Sequence, residues 1–340
     1  MKFGRMPAAE ALGGIAVHSI RQDGLVLKKG EIVSPDHLAG LAAAGIATIV
    51  AAKLEAGDVG EDDAAALLAG AIAGQNVRVQ KPFTGRANIF ATCAGMLTLD
   101  VASLDAINDI DESMTVATLP PWRSVVEGEM IGTIKIIPFA VPGALLQQGV
   151  TMAPQAAVRV AAFQPLRTGV ISTVLPGLKP SVIAKTLKAL EERLAPAKAS
   201  IVKEVRIPHE PEALAREIAA VAPLCDILVV FGASAITDRR DVIPAALEHA
   251  GGEIEQFGMP VDPGNLLLIG RMNDKGRRVH VLGAPGCARS PRENGFDWVL
   301  HRLLAGIDVT ARDIRRMGAG GLLMEIVDRG QLRDGHGHDE

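Results

Sequence analysis

Between Gly232 and Ser290 the sequence sets small residues, hydroxyls and charges where apolar runs stop. Gly232-Ala233-Ser234-Ala235 follows the continuous apolar run Ile227–Phe231. Asp238-Arg239-Arg240-Asp241 comes next, with Pro244 opening a helix, and Pro285-Gly286 and Ser290 follow a second apolar run at residues 279–282 that stops at Gly283. Small residues let backbone N–H groups approach an anion, and a helix start adds a favourable dipole. Asp241 could cap that helix or hold a metal that bridges phosphates, and Arg240 could neutralise charge. The same residues have a plainer use: Gly232, Gly283 and Gly286 turn the chain, and Asp241 is only an N-cap. Thr173 and Lys179, in a loop after an earlier strand, could join the site.

The elements that must position these groups read as alternating strands and helices. Residues 168–173 form a strand, and the helix after it carries Ile183, Leu187, Leu190 and Leu194 on one face. Residues 201–207, a helix at 211–222 and Ile227–Phe231 continue the pattern, which predicts a parallel, doubly wound sheet. In such sheets ligands bind beyond the carboxyl ends of the strands. A further helix is expected over residues 291–304, then a mixed extended segment in which Gly318-Ala319-Gly320-Gly321 makes a turn.

Taken together, these residues resemble the molybdenum-cofactor biosynthesis domain, the molybdopterin-binding fold shared by molybdopterin adenylyltransferases and molybdopterin molybdenumtransferases. That family carries a Gly-Gly-Thr/Ser-Gly loop, an Arg-Asp position, a proline opening a helix and a later Pro-Gly loop. Here Gly232-Ala233-Ser234-Ala235, Arg240-Asp241, Pro244 and Ala284-Pro285-Gly286 stand in those places, and Val261-Asp262-Pro263-Gly264-Asn265 is similar to the strand entry of the molybdenumtransferases. Two of the loop glycines are replaced by Ala233 and Ala235, and the loop before Asp241 is longer. The resemblance implies an α/β protein with a C-terminal doubly wound parallel-sheet molybdopterin-binding domain. It implies a molybdopterin ligand, with Mg2+ and ATP as candidates, and adenylyl or molybdenum transfer as the activity. Thr173, Gly232, Ala233, Ser234, Arg240, Pro285, Gly286 and Ser290 would line the pocket, and Asp241 would be the metal-binding, catalytic carboxylate. It also implies a homo-oligomer and a molybdoenzyme as protein partner. Two alternatives stay open: a non-catalytic carrier or sensor that has lost the loop glycines, and a nucleotide pyrophosphatase-like hydrolase of the competence-damage type.

The chain of 340 residues predicts several domains: an N-terminal α/β region at 1–75, a central mixed α/β or β-rich region at 76–160, the molybdopterin-binding domain at 161–328 and a disordered tail at 329–340 carrying His336 and His338. Near the start, Ser34-Pro35-Asp36 opens a helix, and Glu61, Asp62 and Asp63 open a second one. Thr84-Gly85-Arg86 and Asn88 form a polar turn that either faces solvent or binds phosphate. A net charge of −4 over this length offers no basic face, so nucleic acid is not expected as a partner. Cys93, Cys225 and Cys287 show no metal or redox spacing and suit a reducing cytoplasm, with Cys287 the one thiol beside the site. No apolar stretch has the length of a membrane span.

Overall fold

The computed structural model describes residues 1–153 and 156–323. The expected tail with His336 and His338 lies outside the described residues. Contacts divide the chain into two units, Met1–Ala162 and Phe163–Glu340.

The first unit holds two apolar clusters. One gathers Ala11, Leu27, Leu41 and Ile49 between an antiparallel sheet, ordered Lys2–Pro7, Thr48–Lys53, Ile15–Ala16, and the helix Pro35–Ala43. Ser34 caps that helix through a reciprocal pair with His37, and Pro35 occupies its first turn, where a missing N–H costs nothing. The other cluster sets Leu68 and Ile72 of the helix Glu61–Ile72 against Ile89, Ile131 and Ile134 of an antiparallel sheet ordered Met114–Thr118, Met130–Ile136, Arg86–Ala91, Val77–Val79. The turn at Thr84-Gly85 is engaged from inside the unit. Asp62 accepts the Gly85 N–H at 2.7 Å, and Lys135, 3.6 Å from Glu61, donates to the Thr84 carbonyl at 2.7 Å. Two carboxylates beside that turn oppose phosphate there.

The second unit is built from β1 (Arg167–Val174), α1 (Pro180–Leu194), β2 (Ser200–Pro208), α2 (Pro211–Val221), β3 (Ile227–Phe231), α3 (Val242–His249), β4 (Glu253–Phe257), β5 (Leu268–Asp274), β6 (Arg277–Ala284), α4 (Gly295–Leu304) and the short α5 (Ala311–Arg315). The sheet order is β2-β1-β3-β6-β5-β4. Alternation along the strands splits the core in two. Val170, Val229, Phe231 and Leu282 pack under α1 and α4 with Leu190, Leu194, Phe296 and Leu300. Ile171, Leu228, Val230 and Val281 pack under α2 and α3 with Leu214, Ile218, Ile243 and Leu247. The sheet is therefore wound on both faces, as the alternating pattern predicts.

Three expectations need correction. The sheet is mixed, because β5 runs antiparallel to both β6 and β4. Its link to β6 is the pair Lys275-Gly276, both at positive φ, a tight hairpin that allows no parallel pairing. The last long helix starts at Gly295 instead of near residue 291: Asn294 accepts the Phe296 N–H, and Asp297 accepts the Asn294 N–H in return. The extended segment expected after residue 305 also contains a helix, α5. Its start is capped by Thr310.

Charged side chains mark both margins of this sheet. β2 carries Lys203, Glu204 and Arg206 and ends at Pro208; Glu253 and Glu255 of β4 pair with Arg271 of β5. Among the described residues, no helix is long and apolar enough to cross a membrane.

Candidate functional site

β1 leads through α1 to β2 on one side of itself and then, through α2, to β3 on the other. The order therefore reverses between the carboxyl ends of β1 and β3, the place where such sheets leave a crevice for a ligand. Thr173, Gly232, Ala233 and Ser234 converge there. The Ala233 N–H donates to Thr173 Oγ1 at 2.8 Å, which ties the loop after β3 to the end of β1. Gly232 is required by packing: a Cβ there would stand 2.8 Å from the Ser234 carbonyl oxygen and 2.9 Å from Ile243 Cδ1.

A histidine that no motif announces completes this cluster. His209 follows the end of β2. Its Nδ1 lies 2.8 Å from Thr173 Oγ1 and its Nε2 lies 2.9 Å from Ser234 Oγ. Thr173 is 1% exposed, whereas Ser234 stands open to solvent, so the three side chains run from the core to the crevice.

On the other face of the sheet the site has a cation, Arg289. Its guanidinium lies over the Phe231 ring at 5.5 Å, donates to Thr186 Oγ1 of α1 at 3.0 Å and to the Gly232 carbonyl at 2.8 Å. Among the described residues it has no carboxylate partner, and burial pushes its pKa below the usual arginine value. Its fork keeps donors to spare. Ser172, which pairs with Phe231 across β1 and β3 and so shares its face, is 2% exposed, and its hydroxyl has no hydrogen-bond partner among the described residues. The start of α1 has no side-chain cap, and Lys179 stands at that position, exposed. The guanidinium by the Gly232 carbonyl and the orphaned Ser172 hydroxyl beside Phe231 thus lie on one face of the sheet, and both are groups whose chemistry suits an anion.

The remaining expected residues are held at the start of α3 and in the turn after β6 that carries Arg289. Asp241 caps α3: one oxygen accepts the Val242 N–H at 2.8 Å and the other the Thr237 N–H at 3.2 Å. Arg240 does not face the crevice as a free cation. Its side chain is 90% exposed and is held at 2.7 Å by Asp238, whose carboxyl it draws down to about 2. Pro285, Gly286 and Ser290 belong to a tight turn after β6, Gly286–Arg289, whose carbonyls are gathered by the buried Arg193 of α1. Arg193 donates to Ala288 O at 3.0 Å and Ser290 O at 2.6 Å, and pairs with Asp297 of α4 at 2.5 Å. Cys287, in the same turn, has its thiol pushed up by burial, which disfavours the thiolate. Among the described residues, no three metal-ligating side chains cluster.

No family model matches the chain, and no curated protein matches it. Solved structures give distant likenesses. The protein CinA from Thermoplasma acidophilum is 9% identical, with 34% of this chain and 86% of that one covered, at a TM-score of 0.28. A molybdopterin biosynthesis MoeA protein from Pyrococcus horikoshii is 15% identical, with 92% and 75% covered, at 0.28. A molybdenum cofactor biosynthesis protein from Pyrococcus furiosus is 14% identical at 0.26, with 90% of this chain covered; the chain spans 64% of that protein's length. At such TM-scores none of these likenesses bears on function.

Proposed function

We propose that the second unit binds molybdopterin through its phosphate, in the crevice at the carboxyl ends of β1 and β3, as a component of molybdenum-cofactor biosynthesis. The observation that carries this reading is Arg289, a half-buried guanidinium beside the Gly232 loop with no carboxylate to neutralise it among the described residues. A cation held out of water without a counter-ion is costly, and an anionic ligand removes that cost. The pterin comes from the sequence resemblance, carried by Gly232-Ala233-Ser234, Asp241 and Pro285-Gly286.

Within this reading Arg289, Ser172 and the start of α1 receive the phosphate, and Ser234 with the Ala233 loop closes the opposite side. Asp241 fits Mg2+ in one way only, as a single carboxylate beside a cation that the phosphates of bound ATP already carry, since backbone amides occupy one site on each of its oxygens. There Mg2+ would supply charge neutralisation for adenylyl or molybdenum transfer, while this chain's residues bind and orient. The engagement of Asp241 by two amides favours a second reading, a carrier or sensor that binds the pterin without turnover. Calorimetry with molybdopterin, ATP and Mg2+, separately and together, tests both. Arg289→Ala is expected to abolish pterin binding. If Asp241→Asn then removes turnover in the presence of Mg-ATP, the protein is a transferase; if binding persists without turnover, it is a carrier. Pterin binding that ignores Arg289 sinks the reading.

A further inference from the structure

The geometry points to a fixed direction in the Thr173–His209–Ser234 chain, with the Ser234 hydroxyl held as a hydrogen-bond donor toward the crevice. This rests on the anion-binding reading above and adds which chemistry one wall of the site recognises: an acceptor-only group, such as an unprotonated phosphate oxygen.

The buried end of the chain sets its direction. Thr173 Oγ1 already accepts the Ala233 N–H, and the residue is 1% exposed. Its single proton needs an acceptor, because a buried donor left unpaired loses the hydrogen bond it made to water. His209 Nδ1, at 2.8 Å, is the side-chain acceptor within reach among the described residues. Thr173 therefore donates to Nδ1. In a neutral imidazole the proton then sits on Nε2. Nε2 lies 2.9 Å from Ser234 Oγ, so the ring donates to the serine oxygen. With that lone pair engaged, the serine's own proton turns outward to the exposed side. The opposite direction, serine to Nε2 and Nδ1 to threonine, would strand the Thr173 proton in the core. Successive bonds in one direction polarise each other, which makes the outer hydroxyl a better donor. His209 is thus a positioning residue: it orders Ser234 without touching the ligand.

The test has two readouts. Long-range proton–nitrogen correlation spectra of the nitrogen-15-labelled chain at neutral pH, with His209 assigned by its disappearance in His209→Gln, are expected to show the Nε2–H tautomer. An Nδ1–H tautomer overturns the proposal without reference to any ligand. Titration with inorganic phosphate is expected to show about tenfold weaker binding in Ser234→Ala and in Thr173→Val, with Thr173→Ser close to wild type. Unchanged phosphate affinity in Ser234→Ala, with the expected tautomer and with Arg289→Ala inactive in binding, overturns the donor role while leaving the anion site standing. If wild type binds no phosphate, the anion reading fails and the donor role falls with it; the tautomer still decides the direction of the chain.

Discussion

Arg289 and His209 are the two residues on which the site turns, and neither stands out in the sequence. Thr173, Gly232, Ala233 and Ser234 could be named in advance because glycine, small side chains and hydroxyls at the end of an apolar run are local signals. The cation could not. Arg240 and Arg289 are both arginines beside a loop, and only the fold shows one paired in solvent and the other shielded over Phe231. His209 comes from the end of β2 and meets Ser234 across 25 positions of chain. Arg289→Lys is expected to weaken phosphate binding by roughly tenfold, since a compact ammonium cannot span Thr186 and the Gly232 carbonyl and still reach a ligand. Calorimetric titration with inorganic phosphate measures it. Arg240→Ala should leave the affinity within twofold of wild type, because its guanidinium stands in solvent and is already paired with Asp238.

At the scale of elements, the buried Arg193–Asp297 pair joins α1, the turn after β6 and the start of α4. Both side chains are under a tenth exposed, and the arginine also satisfies the carbonyls of Ala288 and Ser290. Removing one partner leaves a buried charge, so Asp297→Ala is expected to cost about 3–5 kcal/mol in chemical denaturation. Gly264 makes a second close contact with α4. At a φ of +142°, an added Cβ would meet the Gly295 backbone at 2.8 Å, so Gly264→Ala should destabilise by about 1–3 kcal/mol, read the same way. The helices α1 to α4 were legible because their apolar spacing is local, whereas the five-residue α5 is too short to show a period. The direction of β5 was hidden in a two-residue turn whose lysine is no usual hairpin signal. β4 was hidden because its sequence, EIEQF, is half polar at a sheet margin.

The two units respond to pH through different groups. In the second, burial pushes the His280 and His301 pKa values down. A lowered histidine leaves stability intact above its unfolded value, about 6.5, and loses it as pH falls, because the unfolded chain binds the proton first. In the first unit burial raises the Glu61 carboxyl, so its contribution is complete below the ordinary carboxylate range and fades as pH rises through the raised value. Each unit holds one of the chain's two tryptophans, Trp122 and Trp298. Trp122→Phe and Trp298→Phe therefore give separate fluorescence melting curves. Going from pH 7.5 to 5.5, the Trp298 transition is expected to fall by about 2–4 °C and more than that of Trp122. Equal shifts would refute the assignment.

The charged margins of the second unit's sheet bear on how the molecule behaves when crowded. An outer strand carries open amides and carbonyls that invite another chain to add on, and aggregation by sheet extension begins at such edges. β2 meets that hazard with Lys203, Glu204, Arg206 and a terminal proline, and β4 with two glutamates held by Arg271. A strand arriving at either edge must first strip water from these groups, so concentrated solutions should stay clear where a neutral edge would seed fibrils.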